Sequence, residues 1–402
     1  MLVTKLIGFK IYNHYLFKDG SYFGLDIEGQ NTKKNRKTTI SYSDTLTLNK
    51  VTGVVGINAV GKTTLVSIFK GLSDFYLSDL SIDQTVLENV FKLRRGADCI
   101  KVEARIASNN GKRYVVRTAF KKKEREIGEN AGKWYVGEEE IYSDSSRKCP
   151  RVHLFNTERM GQPRLRSDLP EDSMLSPKDS YFFKIVDAGW VPETITTEPL
   201  TNSNDAYLFS DETPEALLGY LDNSIEYLRY NRDSNDKVVS YSLKFKGSDE
   251  VITNTNFEGF AKVLSSGTIK GLSLFFLILQ ALRTGATIIV DEIEIHINKQ
   301  IARDFIGLFM DSRINKNNAS MIYTTHYMEL TNDLKRKDQE YVITRDGDTL
   351  ESTVLRLNQA NARTELKNSE IFEGGSISNT RPDYEKYIEL KNDIAEHVKK
   401  RV

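Results

Sequence analysis

The sequence predicts an α/β fold, in which a mixed sheet has an antiparallel N-terminal β part and is interrupted by a loop-rich, partly helical insertion. Three observations predict it. A short apolar strand at Val51–Val55 runs into a glycine-rich turn and then into the apolar side of a helix. Residues 2–15 and 22–27 alternate apolar and polar side chains around an Asp-Gly turn, which indicates a hairpin. Seven of the eight prolines lie between Pro150 and Pro214, where loops are expected.

The length and composition exclude several classes of protein. A chain of 402 residues allows two or three domains, or one large α/β domain with an insertion. Lys+Arg and Asp+Glu are equal at 56 each, so no global basic field indicates a nucleic-acid partner. No apolar run reaches the roughly 18 residues that span a bilayer, and the first residues lack the apolar core of a signal peptide. Cys99 and Cys149 are too few for a disulfide framework. We therefore expect a cytoplasmic protein.

The strand at Val51–Val55 leads into the segment G-I-N-A-V-G-K-T-T, which matches the phosphate-binding pattern G-x-x-x-x-G-K-[ST]. Glycines let the backbone wrap closely around phosphate oxygens, and the helix N-terminus attracts anions. Lys62 adds a positive charge for the β- and γ-phosphates, and the Thr63 hydroxyl is placed to bind Mg²⁺. The candidate nucleotide-binding residues of this segment are Gly56, Asn58, Ala59, Gly61, Lys62, Thr63 and Thr64.

Further elements of the first half follow from local patterns. Residues 30–37 are polar and basic and predict an exposed loop, with a phosphate-contacting loop as the alternative. Residues 82–93 have the pattern of a helix. Residues 100–106 and 113–117 alternate strictly around Asn-Asn-Gly and predict a second hairpin, which the charged residues 121–125 continue as a solvated strand end.

The proline-rich middle of the chain predicts an insertion or lid rather than core. After it, residues 215–230 have apolar side chains at helical spacing, and residues 238–245 alternate as a strand does. The sequence therefore predicts an N-terminal part at 1–155 that contains the phosphate-binding segment, an insertion at 156–250 and a C-terminal part at 251–402.

A second helix N-terminus lies in the C-terminal half. The segment Leu-Ser-Ser-Gly-Thr at 264–268 precedes a long apolar helix at 271–282. Ser265 or Ser266 would cap the helix, and Gly267 would ease the turn into it. A serine–glycine turn at a helix N-terminus is also an anion site, so the segment is either an ordinary cap or a phosphate contact.

An apolar run at 286–290 predicts a buried parallel strand, and two carboxylates follow it. Ligands bind beyond the carboxyl ends of strands in open α/β sheets, which places Asp291 at such an edge. Asp291 would hold Mg²⁺, and Glu292 would orient and polarise an attacking water.

The last strand of interest, residues 321–325, ends at His326, which would stand beside the γ-phosphate. A helix of ordinary length at 299–309 separates it from the two carboxylates. Residues 341–345 and 353–357 predict another hairpin, and residues 384–402 predict a charged helix.

In chain order these segments are a P-loop, L-S-S-G-T, I-I-V-D-E and T-T-H. The order resembles that of ABC-type ATPases of the SMC, RecF and OLD group, and is most similar to OLD-like AAA-family ATPases of bacterial phage-defence systems. D-E-I-E-I-H resembles the D-E-P-E-x-H pattern of the OLD-like proteins. Ile293 replaces the usual proline, and Asn298 stands where histidine is frequent. The resemblance covers about residues 1–155 and 251–357.

The resemblance implies an ABC-type P-loop NTPase fold, ATP and Mg²⁺ as cofactors, and a nucleotide held between two subunits of a homodimer or higher oligomer. It implies that Ser265 and Gly267 contact the γ-phosphate of a nucleotide bound to the partner subunit's Lys62, and it makes Ser266 a further candidate nucleotide-binding residue. It also suggests Gln162, after an expected strand at 151–155, as a glutamine that contacts Mg²⁺ or water.

The 76 residues that follow His326 are too few for the Toprim nuclease domain of OLD nucleases, and no heptad run predicts an SMC coiled coil. We therefore expect an ATPase that regulates a separate effector, a nuclease or a toxin, in anti-phage defence. The alternative is a RecF-like ATPase of DNA repair or recombination that binds duplex DNA. A transporter's nucleotide-binding subunit is disfavoured, because the L-S-S-G-T and D-E-I-E forms do not suit it.

Overall fold

The structure is a computed structural model that describes residues 1–29, 36–123, 133–147, 149–170, 173–197, 213–360, 366–374, 377–380 and 384–399. In these ranges no helix is both long enough and apolar enough to cross a membrane.

Strands occur throughout the described residues, and two α-helices separate the strand at Val51–Val55 from the strand at Cys99–Ser108. In chain order they are β1 (Thr4–Tyr12), β2 (Ser21–Gly24), β3 (Thr39–Ser41), β4 (Thr47–Asn49), β5 (Val51–Val55), β6 (Cys99–Ser108), β7 (Arg113–Lys122), β8 (Trp134–Asp144), β9 (Arg164–Leu165), β10 (Thr194–Thr196), β11 (Ile225–Arg232), β12 (Val238–Phe245), β13 (Val251–Asn254), β14 (Thr287–Val290), β15 (Ser320–Thr325), β16 (Glu340–Arg345) and β17 (Ser352–Arg356).

The α-helices range from single turns to five turns. They are α1 (Lys62–Leu77), α2 (Leu87–Val90), α3 (Tyr181–Ile185), α4 (Glu215–Leu221), α5 (Ser266–Thr284), α6 (Ile293–His296), α7 (Lys299–Met310), α8 (Asn368–Glu373) and α9 (Tyr384–Lys399).

The central sheet has the strand order β10-β14-β15-β5-β16-β17. Its first five strands are parallel, and β17 pairs antiparallel with β16 at the edge. Since β5, β14 and β15 are parallel neighbours, their carboxyl ends lie at one edge of the sheet. That edge is where ligands bind in α/β proteins.

A second sheet, with the order β2-β1-β6-β7-β8-β9, is antiparallel throughout. Both hairpins that alternation predicts in the first half of the chain are part of it. β1 pairs with β2, and β6 pairs with β7, as predicted. The hairpin of β16 and β17 is also confirmed.

The central sheet lies between two apolar cores. One core contains Ile289 and Ile322 from the sheet, together with α1 and the antiparallel sheet. The other contains Ile288, Val290 and Met321, together with α5 and α7. Neighbouring residues of a strand point to opposite faces, so β14 contributes to both cores. This burial on both faces explains the apolar runs of the central strands.

Two predicted helices are wrong in part. Residues 82–93 form a short 3-10 helix, Ile82–Gln84, and the single turn α2, because Thr85 between them is extended. The Thr85 hydroxyl donates to the Ile82 carbonyl and accepts from the Leu87 N–H, and such local bonds compete with a helix.

The helix expected at 215–230 ends at Leu221, and the rest is strand β11. The Asp222 carboxylate accepts the N–H and the hydroxyl of Ser224, which turns the chain. The turn residues outweigh the helical spacing of the apolar side chains.

The strand expected at 151–155 is also wrong, since a 3-10 helix, Arg151–His153, follows Pro150. Three further predictions fall partly outside the described residues. These are the loop at 30–37, the strand end at 121–125 and the tail helix, which is described from Tyr384 to Lys399. The boundaries at 156 and 250 stay predictions, although β10 of that stretch pairs with β14 in the central sheet.

Candidate active site

A cleft of about 750 Å³ lies at the carboxyl edge of the central sheet. The P-loop follows β5, the two carboxylates follow β14, and His326 follows β15, so residues far apart in sequence meet there. The residues that line the cleft are Tyr15, Leu16, Asn58, Ala59, Gly61, Lys62, Thr63, Thr64, Glu292, Ile295, His326 and Arg345.

The P-loop needs its two glycines for different reasons. Gly61 has φ of 103°, and a Cβ there would lie 2.5 Å from Leu16 Cδ2. A Cβ at Gly56 would lie 2.6 Å from the Ile343 carbonyl oxygen. Ala59 also has a positive φ, of 63°. The loop therefore has a tightly curved backbone that packs against neighbouring segments, as a phosphate cradle requires.

The Lys62 side chain is 5% exposed and points across the P-loop. Its Nζ donates to the carbonyl oxygens of Gly56 at 3.0 Å and Ile57 at 3.2 Å. The ring nitrogens of His326 lie 3.2 and 3.3 Å from the same Nζ. The ammonium group and the histidine ring thus share one small region of the cleft.

Burial lowers the pKa of Lys62, while the nearby carboxylates of Glu292, Glu294 and Asp291 oppose the shift. The hydrogen-bond partners of Nζ are the Gly56 and Ile57 carbonyls and the His326 ring, and the ammonium group can exchange these for phosphate oxygens without leaving its place. The P-loop lysine is therefore preset for an anionic ligand.

Asp291 is 9% exposed, and hydroxyl groups orient both oxygens of its carboxylate. Thr63 Oγ1 donates to Oδ2 at 2.7 Å, and Thr324 Oγ1 donates to Oδ1 at 2.6 Å. The Asp291 N–H donates to Thr197 Oγ1 at 3.3 Å, beside β10. A hydroxyl and a carboxylate in contact at the P-loop are hard oxygen ligands that suit Mg²⁺, so the residues present fit this ion.

Glu292 has a left-handed backbone, with φ of 46° and ψ of 64°. For a residue other than glycine this conformation is strained and persists where neighbouring contacts hold it. Its N–H donates to Thr324 Oγ1 at 2.7 Å, so one threonine hydroxyl fixes Asp291 and Glu292 together. Its Oε1 lies 3.3 Å from Nε2 of His326, within the cleft.

Two further side chains hold the ends of β14 and β15. Glu294 Oε1 accepts the backbone N–H of His326 at 2.6 Å. His296 is buried, and its Nε2 lies 3.2 Å from the Asp291 carbonyl oxygen. Burial lowers the pKa of His296, which favours a neutral ring that donates to this carbonyl.

The predicted serine–glycine segment forms the N-terminus of α5 and does not line the cleft. Ser265 caps the helix, since its Oγ accepts the Thr268 N–H at 3.0 Å. Ser266 and Gly267 are exposed. A Cβ on Gly267 would meet only Ser265 Oγ, at 3.8 Å. The N-terminus of α5 is thus exposed at the surface of its own subunit.

Gln162 is exposed, two residues before β9 at the edge of the antiparallel sheet, and is not among the residues that line the cleft. The 3-10 helix at Arg151–His153 replaces the strand from which its role was inferred. The structure therefore does not bring Gln162 together with the other predicted site residues.

Several residues of the site carry no clear sequence signal. Tyr15 and Arg345 line the cleft from a loop and a strand end, and nothing in their neighbours in sequence indicates it. Thr324 and Glu294 lie within segments that sequence motifs did identify. A polar residue near the carboxyl end of a buried strand is the signal that could have identified Thr324.

A comparison with protein families bears on this geometry. The model of a family described as "AAA domain, putative AbiEii toxin, Type IV TA system" matches residues 51–332, which is more than half of the chain. The matched region contains the P-loop, the N-terminus of α5, and the ends of β14 and β15. No curated protein matches the chain.

Proposed function

Since the chain belongs to the family of AAA domain proteins described as putative AbiEii toxin of a type IV TA system, we propose that it is a Mg²⁺-dependent ATPase. The AAA domain is a P-loop domain that binds nucleotide. The proposal adds hydrolysis, Mg²⁺ dependence and regulation of a separate effector.

One observation carries the proposal of hydrolysis. Lys62, Asp291, Glu292 and His326 meet at one edge of the sheet, although they come from three separate segments. To bind a nucleotide, a protein needs only the lysine and the P-loop backbone. A carboxylate next to them, held in a strained conformation beside a histidine, supplies what hydrolysis additionally requires.

In this mechanism Lys62 and the P-loop amides hold the β- and γ-phosphates and offset their charge. Thr63 and Asp291 would hold Mg²⁺, which supplies charge neutralisation at the phosphates when bound. Glu292 accepts a proton from the attacking water, or polarises it, and His326 stands between Glu292 and Lys62 to contact the γ-phosphate.

We further propose an ABC-type, OLD-like arrangement in which two subunits enclose ATP. The open N-terminus of α5, with Ser265 and Gly267 exposed, supports it, because such an end can meet a phosphate of another subunit. Asn298, which differs from the OLD-like pattern, caps α7 by accepting the N–H groups of Gln300 and Ile301, each at 3.0 Å. Its role is therefore accounted for within the subunit.

The proposed biological role is regulation of a separate nuclease or toxin in anti-phage defence. Its support is the family description, which names a toxin of a toxin–antitoxin system for that family. The test of this role is plaque formation on cells that carry the gene with its neighbouring genes, compared with cells that carry Lys62→Ala. Equal plaque numbers in the two would contradict it.

The test of the enzyme is ATP hydrolysis by the purified full chain. Glu292→Gln should keep ATP binding and reduce hydrolysis about 10²–10⁴-fold, since an amide is not a general base. Lys62→Ala should lose the nucleotide itself. The matched control is Glu258→Gln, an exposed carboxylate outside the cleft, which should hydrolyse ATP at the normal rate. Hydrolysis by Glu292→Gln within about a factor of two of wild type would overturn the assignment.

A further inference from the structure

A second cavity, of about 670 Å³, lies on the face of the antiparallel sheet that points away from the core. Strands β1, β6 and β7 form its floor, and residues 151–158 form one wall. It shares no lining residue with the cleft at the P-loop. Nothing in the proposed ATPase mechanism uses it.

Four cations line this cavity: Lys10, Arg105, Arg117 and Arg151. The carboxylate of Glu103, which is 8% exposed, lies between two of them. Lys10 Nζ is 3.2 Å from Oε1, and Arg117 Nε is 3.1 Å from Oε2. One carboxylate thus holds two cations in place and leaves one positive charge in excess.

Arg105 is held mainly by aromatic rings. Its guanidinium lies over Tyr22 at 4.3 Å and Phe155 at 5.4 Å from the ring centroids. The nearest carboxylate, Asp26, is 3.9 Å away and has a closer cation in Arg356, at 2.9 Å. Arg105 Nε is buried and has no hydrogen-bond partner among the residues that the structure describes. A buried donor without an acceptor is costly, so the protein's own hydrogen bonds do not fully satisfy this guanidinium, which lines the cavity.

Four carboxylates, Asp26, Glu28, Glu103 and Glu158, also line the cavity, and Arg356 beside it is a fifth cation, so these nine groups together carry one net positive charge. Glu28 pairs with Arg356 at 3.3 Å and accepts hydrogen bonds from two amide side chains, so it is already satisfied. Arg151 donates to the Gly29 carbonyl, and no carboxylate of the described ranges forms an ion pair with it. Glu158, which is exposed at the rim, is the one lining carboxylate without such a cation among the described residues.

We propose that this cavity binds the phosphate group of a small phosphorylated molecule such as a nucleoside monophosphate. Planar guanidinium groups bind phosphate oxygens through paired hydrogen bonds, and three of them line this space. Leu154 and Phe155 provide an apolar wall for the rest of the molecule. The volume of the cavity lies within the range of small-molecule sites.

The test uses the full chain carrying Lys62→Ala, which removes the competing phosphate site at the P-loop. AMP and adenosine are titrated by calorimetry, with inorganic phosphate as a third probe. We expect AMP and phosphate to bind and adenosine not to bind. In the Lys62→Ala chain, a second substitution, either Arg105→Gln or Arg151→Gln, should weaken AMP binding at least tenfold relative to Lys62→Ala alone. Arg159→Gln is the matched control, because Arg159 lies exposed in the neighbouring turn and does not line the cavity.

Arg151 is exposed, so its variant tests the site even if the loss of Arg105 impairs folding. A 5′-phosphorylated oligonucleotide and its unphosphorylated form are titrated in parallel. Phosphate-dependent oligonucleotide binding that both arginine variants weaken would support the same phosphate contact and identify a nucleic-acid end as its source. The proposal is overturned if AMP and phosphate fail to bind at about 10 mM, or if both arginine variants bind AMP as tightly as the Arg159→Gln control.

Discussion

The carboxylate of Glu294 accepts the backbone N–H of His326 at 2.6 Å, across 32 residues of sequence. The bond connects the short helix α6, which follows the two carboxylates, to the end of β15. Within the described ranges the second oxygen of Glu294 is buried without a hydrogen-bond partner, so the His326 contact orients this side chain. The position of the histidine ring in the cleft therefore depends on a residue that does not line it.

We predict that Glu294→Ala lowers kcat for ATP hydrolysis about tenfold and changes KM less than about threefold, since it removes a hydrogen bond to a charged acceptor that places His326. Glu294→Gln should recover most of the rate, because its amide oxygen can accept the same N–H. Steady-state kinetics of both variants provide the measurement. An equal loss in the two, or none in Glu294→Ala, would count against a positioning role.

The second prediction concerns the open end of α5. Gly267→Glu should leave the fold and monomeric ATP binding intact, because a side chain at this position meets open space in its own subunit. It should abolish ATP-dependent association, since a carboxylate would repel the phosphate of a partner subunit. Sedimentation with and without ATP provides the measurement. Normal ATP hydrolysis by Gly267→Glu would contradict a contact between this helix end and the nucleotide, and the role of Ser265 would then be that of a helix cap.

Mixing variants tests whether the site is shared. Lys62→Ala and Gly267→Glu should each be inactive alone. A mixed dimer has one complete site, formed by the intact P-loop of one subunit and the intact α5 end of the other. Equal amounts mixed together should therefore recover part of the ATPase rate. Demonstrated co-assembly without any recovery would contradict the shared site.

The third prediction concerns pH and the free energy of unfolding. Glu139 is 1% exposed, and burial raises its pKa to about 7. Its Oε1 accepts the Phe182 N–H at 2.7 Å and the Ser180 hydroxyl at 3.1 Å. Below the unfolded pKa of 4.5 both states are protonated. As pH rises towards 7 the unfolded chain ionises first, so the stability of the wild type falls.

The glutamine of the Glu139→Gln variant does not titrate. The free energy of unfolding of this variant, relative to that of the wild type, should therefore rise between pH 5 and pH 8 by up to about 3 kcal/mol. Urea denaturation at the two pH values measures this difference. Glu138→Gln is the control, because Glu138 directly precedes Glu139 in the same strand and its side chain is 75% exposed. An identical pH dependence in wild type and Glu139→Gln would contradict the prediction.

Sequence alone predicts the parts of the site that lie within single motifs. The P-loop, Asp291 and His326 each follow a strand with a clear apolar pattern, and the rule that ligands bind at carboxyl ends places them together. The hairpins of the antiparallel sheet follow from alternation. These features depend on neighbours in sequence, which is why they could be predicted.

Other features depend on strand register and long-range packing. Thr324 reaches Asp291 because β15 pairs in parallel with β14, and no local pattern fixes that register. Thr197 holds the Asp291 N–H because β10, from the proline-rich stretch, joins the same sheet. The prediction of an insertion there followed from composition, which does not indicate where a three-residue strand pairs.

The central sheet, whose carboxyl edge forms the cleft, lies between two apolar cores, and this has a consequence for inherited variation. Helix α1, which carries Lys62, packs in one core, while α5 and α7 pack in the other, and β14 contributes side chains to both. A change of side-chain volume in either core moves one part of the cleft against the other, because packed interiors transmit strain. Substitutions deep in the protein can therefore alter catalysis without touching a catalytic group, and a second substitution in the opposite core can compensate for them.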